Sequence, residues 1–131
     1  MNAAIPGARH ACILLVDDDE SGRLLLRLAL ENEGYEIIDA PTAELALERV
    51  KHEQINAAII DAVLPGMDGF EMCRRLRAAG RYRTLPIMIL TGLEDPIYRS
   101  LAEEVGADAF VYKSHDWRSF TRGVHKLLAG Q

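Results

Sequence analysis

Five short, unbroken apolar runs, each followed by a stretch with helical spacing, constrain this chain more than any other feature. The first, Cys12-Ile13-Leu14-Leu15-Val16, stops abruptly at Asp17-Asp18-Asp19-Glu20. A run this short and this uniformly apolar has no face to show to water, so it fits a strand covered on both sides in a parallel sheet. Similar runs recur at 35–40, 55–60, 86–90 and 107–112. The intervening segments 21–33, 42–52, 69–79, 96–105 and 116–128 carry helical spacing. In the first of them Leu24, Leu28 and Glu31 keep a three-to-four residue step, with Arg23, Arg27 and Glu31 assigned to water and the leucines left as the inward stripe. Thr42 offers a helix start, and Gly34 and Gly106 are stop signals.

Strand and helix therefore alternate five times. Right-handed crossovers then give an α/β sandwich, a doubly wound parallel sheet with helices on both faces. At 131 residues the natural arrangement is flavodoxin-like, with strand order 2-1-3-4-5. That length suits one domain with one core, expected over 11–131. Residues 1–10, with Pro6 and Gly7 and no periodicity, read as a tail.

In this strand order a ligand site falls at the carboxyl ends of the first and third strands, where the winding direction reverses. Asp17 and Asp18 end the first run and Asp61 ends the third. Carboxylates brought this close raise one another's pKa or recruit a cation, and hard oxygen ligands of this kind suit Mg²⁺. Thr91 closes the fourth run and Lys113 follows the fifth, adding a hydroxyl and an ammonium at the same rim. One Mg²⁺ and Lys113 together balance Asp17, Asp18 and Asp61, leaving a site suited to phosphoryl transfer, where positioning and charge neutralisation do most of the catalysis.

Four separated segments, Ile13 to Asp19, Asp61-Ala62-Val63-Leu64-Pro65-Gly66-Met67-Asp68-Gly69, Leu90-Thr91-Gly92 and Phe110-Val111-Tyr112-Lys113, resemble the response regulator receiver family of two-component signal transduction. The resemblance covers Cys12 to Leu128, and its specificity lies in the order of the four motifs rather than in any one. It implies that Asp61 is the phosphoacceptor. It further implies that Asp18, Asp61 and the Val63 carbonyl ligate Mg²⁺, that Asp17 assists through water, and that Thr91 and Lys113 bind phosphoryl oxygens. Phe110 matches an aromatic switch position coupling Thr91 to the face formed by the fourth helix, fifth strand and fifth helix. The phosphoryl donor would be a sensor histidine kinase or a histidine phosphotransfer protein. Output would pass to an effector protein or to an output domain outside this chain, with a homodimer one expected consequence of phosphorylation. Such a domain is a signalling module rather than an enzyme, although it assists its own phosphorylation and dephosphorylation.

The chain departs from the family at Ser114, where proline usually follows the lysine in a cis peptide. A non-proline cis bond costs roughly 3 kcal/mol, so a trans Lys113-Ser114 bond and an altered loop are expected. At the two positions that flank the site in this family, two residues beyond Asp61 and Thr91, polar side chains can orient a water; here they are the apolar Val63 and Leu93, so the resemblance implies a long-lived phosphoaspartate.

Other readings compete. Asp17-x-Asp19-x-Ser21 also resembles the first motif of haloacid dehalogenase phosphatases, although nothing acidic pairs up after Lys113. A flavodoxin-like cofactor carrier is disfavoured because the acidic loop after the first strand would repel a flavin phosphate. A docking module without phosphorylation is the third alternative. Net charge is −5 with no basic stripe, which argues against nucleic-acid binding. No apolar run is long enough for a membrane span and no signal peptide is legible, so a cytoplasmic protein is expected. Cys12 and Cys73 match no disulfide or zinc pattern and are expected to be buried thiols. His10, His52, His115 and His125 are expected at the surface, and Trp117 carries no functional assignment.

Overall fold

The computed structural model describes residues 11–114 and 116–130; the expected tail and His115 lie outside them. The chain builds five strands, β1 (Cys12–Val16), β2 (Glu36–Ala40), β3 (Ala57–Asp61), β4 (Ile87–Thr91) and β5 (Ala109–Tyr112). They alternate with helices α1 (Glu20–Asn32), α2 (Ala43–Arg49), α3 (Gly69–Ala78), α4 (Pro96–Glu104) and α5 (Trp117–Ala129). All neighbouring strands are parallel, in the order β2-β1-β3-β4-β5. This is the doubly wound sandwich that the alternating runs require.

Alternate residues of each central strand feed two separate cores. Leu14, Val16, Ala58, Ile60, Ile87 and Ile89 pack against Ala43 and Ala46 of α2, Met72, Cys73 and Leu76 of α3, and Ala102 of α4. Ile13, Leu15, Ala57, Ile59, Met88 and Leu90 pack against Leu26 and Leu30 of α1 and Phe120, Val124 and Leu128 of α5. Each fully buried leucine or isoleucine contributes about 2 kcal/mol of apolar transfer, the main favourable term in this fold.

One helix face differs from expectation. Leu24 (54% exposed) and Leu28 (52%) lie outside, while Leu26 and Leu30 are the buried pair. The segment Leu24-Leu25-Leu26-Arg27-Leu28-Ala29-Leu30 is apolar almost all round, so periodicity alone does not select its inward stripe. Cys12 also differs, being only half-buried, whereas Cys73 is fully enclosed. Burial pushes both thiols above their ordinary pKa.

Each of the five α-helices starts with a side-chain cap. Asp19, Thr42, Asp68, Asp95 and Asp116 accept hydrogen bonds from the first-turn N–H groups of α1 to α5 in turn. Such caps satisfy donors that no helical carbonyl reaches, each worth about 1 kcal/mol. Among the described residues every peptide bond is trans, including Lys113-Ser114.

Candidate phosphoacceptor site

The carboxyl ends of β1, β3 and β4 bring Asp17, Asp61 and Thr91 to one rim, where all three are buried polar residues. Carboxylate oxygens of Asp17, Asp18 and Asp61 lie within 4.8 Å of one another. Asp18 differs from its two partners in being exposed, so the pocket opens to solvent on its side.

Local hydrogen bonds explain how the chain holds these groups. Asp61 Oδ1 accepts from its own loop, the Val63 N–H at 3.1 Å. Asp17 Oδ1 accepts from the Asp19 N–H at 2.9 Å. The remaining oxygen of each buried carboxylate meets the same ammonium: Lys113 Nζ donates to Asp61 Oδ2 at 2.7 Å and to Asp17 Oδ2 at 3.0 Å. Lys113 spans the site because its own N–H is anchored to the Thr91 carbonyl at 2.8 Å, so the trans bond to Ser114 leaves its reach intact.

Two buried carboxylates thus share one ammonium. Burial pushes the Asp61 carboxyl above its ordinary pKa, and the hydrogen bond and charge of Lys113 offset this only in part, with Asp17 adding to the rise. Burial also opposes the Lys113 charge, but the hydrogen bonds to Asp61 and Asp17 outweigh it and hold the ammonium above its ordinary value. The pocket is short of positive charge, the condition in which a divalent cation binds best.

Thr91 Oγ1 accepts from the Leu93 N–H at 3.1 Å. Val63 and Leu93, two residues beyond Asp61 and Thr91, are 50% and 45% exposed. Phe110, half-buried on β5, lies beneath the Arg99 guanidinium, 4.9 Å from ring centroid to Cζ, and meets Tyr112 edge-on at 5.5 Å. A cleft of about 430 Å³ runs from Lys113 between α1 and α5, with Leu25, Trp117 and Phe120 in its walls.

Two contacts had no legible signal. Arg23 Nη1 donates to the Asp17 carbonyl at 2.7 Å. Glu44, on α2, accepts from the Met67 N–H at 3.0 Å and bears on Gly66, whose φ of +73° a side chain rarely adopts. Both end on backbone groups, and the second joins residues 23 apart in the chain.

The response regulator receiver domain model matches residues 13–124. The chain belongs to that family. Among curated relatives, the transcriptional regulatory protein AfsQ1 of Streptomyces coelicolor is 38% identical over 116 residues, 88% of this chain and 50% of AfsQ1. This receiver domain thus spans about half the length of the curated relatives it matches. Its fold superposes on the chemotaxis protein CheY4 of Vibrio cholerae with a TM-score of 0.86 and 28% identity, covering 90% of this chain and 98% of the other. Response regulator TrrA of Thermotoga maritima, solved in complex with Mg²⁺ and BeF, superposes with a TM-score of 0.81 and 31% identity, covering 90% of this chain and 99% of that one.

Family membership sets aside the haloacid dehalogenase and flavodoxin-like carrier alternatives. The geometry agrees, because Asp19 Oδ2 is occupied as the cap of α1, accepting from the Gly22 N–H at 2.7 Å. The receiver fold is a two-component signalling module, and no helix among the described residues is long and apolar enough to cross a membrane.

Proposed function

We propose that this receiver domain takes a phosphoryl group onto Asp61 from a phosphohistidine of a sensor histidine kinase or histidine phosphotransfer protein. The observation that carries the reading is the placement of Asp61, buried at the end of β3 with Lys113 Nζ 2.7 Å from Oδ2 and Asp17 and Asp18 beside it.

The donor set fits Mg²⁺: hard carboxylate oxygens, two of them held by the backbone and one open to solvent. Asp18 and Asp61 would bind the ion directly with the Val63 carbonyl. Asp17 would assist through water, as the resemblance to the family implies, with its Oδ1 held by the Asp19 N–H. The bound ion would supply positive charge for the transferring phosphoryl oxygens.

Asp61 Oδ attacks phosphorus, the new O–P bond forms as the P–N bond breaks, and the departing electron pair stays on the imidazole nitrogen. Lys113 is then free to turn from the carboxylate to a phosphoryl oxygen, and Thr91 Oγ1 to donate to another. Fixed donors of this kind stabilise developing charge without reorganising solvent.

Movement of Thr91 towards the phosphoryl group would vacate space against Phe110 and let its ring leave the cover of Arg99. That would alter the α4-β5-α5 face and favour pairing with a second copy or another effector. The relatives AfsQ1 and PhoP are transcriptional regulatory proteins matched over about half their length, which supports output through a transcription-regulating partner or domain.

Incubation with acetyl phosphate and Mg²⁺ tests the assignment. One phosphoryl group should map to the Asp61 peptide by mass spectrometry, and labelling of that peptide should vanish in Asp61→Asn. Modification at another residue of the wild-type protein would overturn it.

A further inference from the structure

We propose that Arg23 is a positioning residue for the cation pocket: its guanidinium, aimed by Asp39, holds the Asp17 carbonyl and through it the orientation of Asp17 and Asp18. This rests on the reading of that pocket as a Mg²⁺ site.

The ladders of β1 end at Val16, which pairs with Ala40 of β2 and Ile60 of β3, so the Asp17 carbonyl lies beyond both. The Asp17 N–H still reaches the Ala40 carbonyl, at 3.2 Å. Arg23 supplies the missing donor, Nη1 to the Asp17 carbonyl at 2.7 Å. Its Nε donates to Asp39 Oδ2 at 3.0 Å, and the side chain is only 16% exposed. Asp39 belongs to β2 and is held a second time by Arg27 Nη1 at 2.6 Å. Arg27 in turn donates to Glu31 Oε2 at 2.9 Å.

Charge alone does not explain the arrangement. Arg23 and Arg27 are balanced by Asp39 and Glu31, so the group as a whole adds no net charge to the pocket. Direction is what remains. The planar guanidinium fork offers two donors at a fixed angle, one to a strand side chain and one to the backbone of the acidic loop, which a flexible ammonium cannot match. Supports of this kind around metal ligands typically govern affinity about as strongly as a tenfold change or more.

Arg27 provides the internal control, since it makes the same kind of pair with Asp39 and has no contact with Asp17. Mg²⁺ titration of the 131-residue protein by calorimetry should show binding weakened by about tenfold in Arg23→Gln and by no more than about twofold in Arg27→Gln. Arg23→Lys should recover only part of the loss. A metal-independent readout is hydrogen exchange at the Asp19 N–H, which rests on Asp17 Oδ1. In metal-free protein it should quicken by about tenfold in Arg23→Gln alone. Equal losses in both glutamine variants, or wild-type affinity and protection in Arg23→Gln, would overturn the proposal. Absence of Mg²⁺ binding in the wild type would instead remove the metal reading, while the exchange comparison would still decide whether Arg23 holds the loop.

Discussion

Lys113 Nζ sits 2.7 Å from Asp61 Oδ2 and 3.0 Å from Asp17 Oδ2, a single ammonium bridging two buried carboxylates. Without metal this leaves one buried negative charge without a counter-ion. Asp61→Asn should therefore raise the metal-free unfolding midpoint, and excess Mg²⁺ should reverse the ranking by stabilising only the wild type. At about 100 times its dissociation constant the ion adds roughly 2.7 kcal/mol. Lys113→Ala should lower stability in chelator and slow phosphorylation by about a hundredfold, as loss of a fixed electrostatic donor does. Thermal melts with EDTA or Mg²⁺ and timed acetyl phosphate labelling measure both effects. A metal-free Asp61→Asn protein less stable than wild type would refute the charge argument.

Gly69 is tested by one methyl group. A Cβ at this first position of α3 would collide with the Asp61 backbone carbonyl and with Ala62. Backbone cannot swing aside as a side chain can, so Gly69→Ala should cost about 1 to 3 kcal/mol, the range for forced overpacking. It should also slow phosphorylation through displacement of Asp61. Gly80→Ala has open space around it and serves as the comparison. Denaturant midpoints that fall equally in both variants would remove the steric explanation.

The strands were legible because a parallel strand covered on both faces must be apolar throughout, and β3 and β4 are buried along their whole length. The site was legible for a related reason: acids, a hydroxyl residue and a lysine stood at strand ends, where topology brings them together. Leu24 and Leu28 were misplaced because a leucine-rich helix has more apolar surface than it can bury. Arg23 and Glu44 were invisible because their partners, the Asp17 carbonyl and the Met67 N–H, are backbone groups that no residue type announces. The assignment of His125 to the surface held for exposure but missed its bonds to Tyr35 and Glu33.

That histidine ties α5 to the turn after α1. Tyr35 Oη and His125 Nδ1 share a hydrogen bond of 2.6 Å, and His125 Nε2 lies 2.9 Å from Glu33 Oε1. Burial, aided by Glu33, raises the Tyr35 pKa above its ordinary 10.0. A raised folded value means that this contribution is complete below the unfolded pKa and is lost as pH rises through the folded one. Tyr35→Phe should cost about 1 kcal/mol at neutral pH and flatten the alkaline fall in stability. Urea midpoints from pH 7 to 11 will tell: an unchanged alkaline slope would assign that fall to other groups.

The switch proposed for Phe110 has a spectroscopic consequence. Thr91 is fully buried with its hydroxyl engaged by Leu93, and Phe110 lies under Arg99. Beryllofluoride with Mg²⁺ should shift amide resonances along α4 and β5 as well as at the acidic rim. Thr91→Ala, which leaves the Leu93 N–H without this acceptor and costs about 1 kcal/mol, should confine the shifts to the rim. Shifts that reach α4 equally in that variant would show that Thr91 carries no coupling.

The lifetime of the phosphoaspartate depends on how water reaches the phosphorus. Val63 and Leu93 are both about half exposed, two residues beyond Asp61 and Thr91, the positions that flank the site in this family. Their backbones are fixed to the site, because the Val63 N–H bonds Asp61 Oδ1 and the Leu93 N–H bonds Thr91 Oγ1. Neither side chain can donate or accept a hydrogen bond, so neither can hold a water in line for attack. Polar groups at these two places should supply that water and its orientation. Val63→Asn combined with Leu93→Glu is expected to shorten the phosphoaspartate lifetime by about tenfold, less than the roughly hundredfold or more that a fully placed general base supplies. Val63→Leu, which keeps that position apolar, should leave it unchanged. The decay is followed by phosphoprotein gel or mass spectrometry after removal of the donor, and equal lifetimes in the wild type and the double variant would refute the shielding argument.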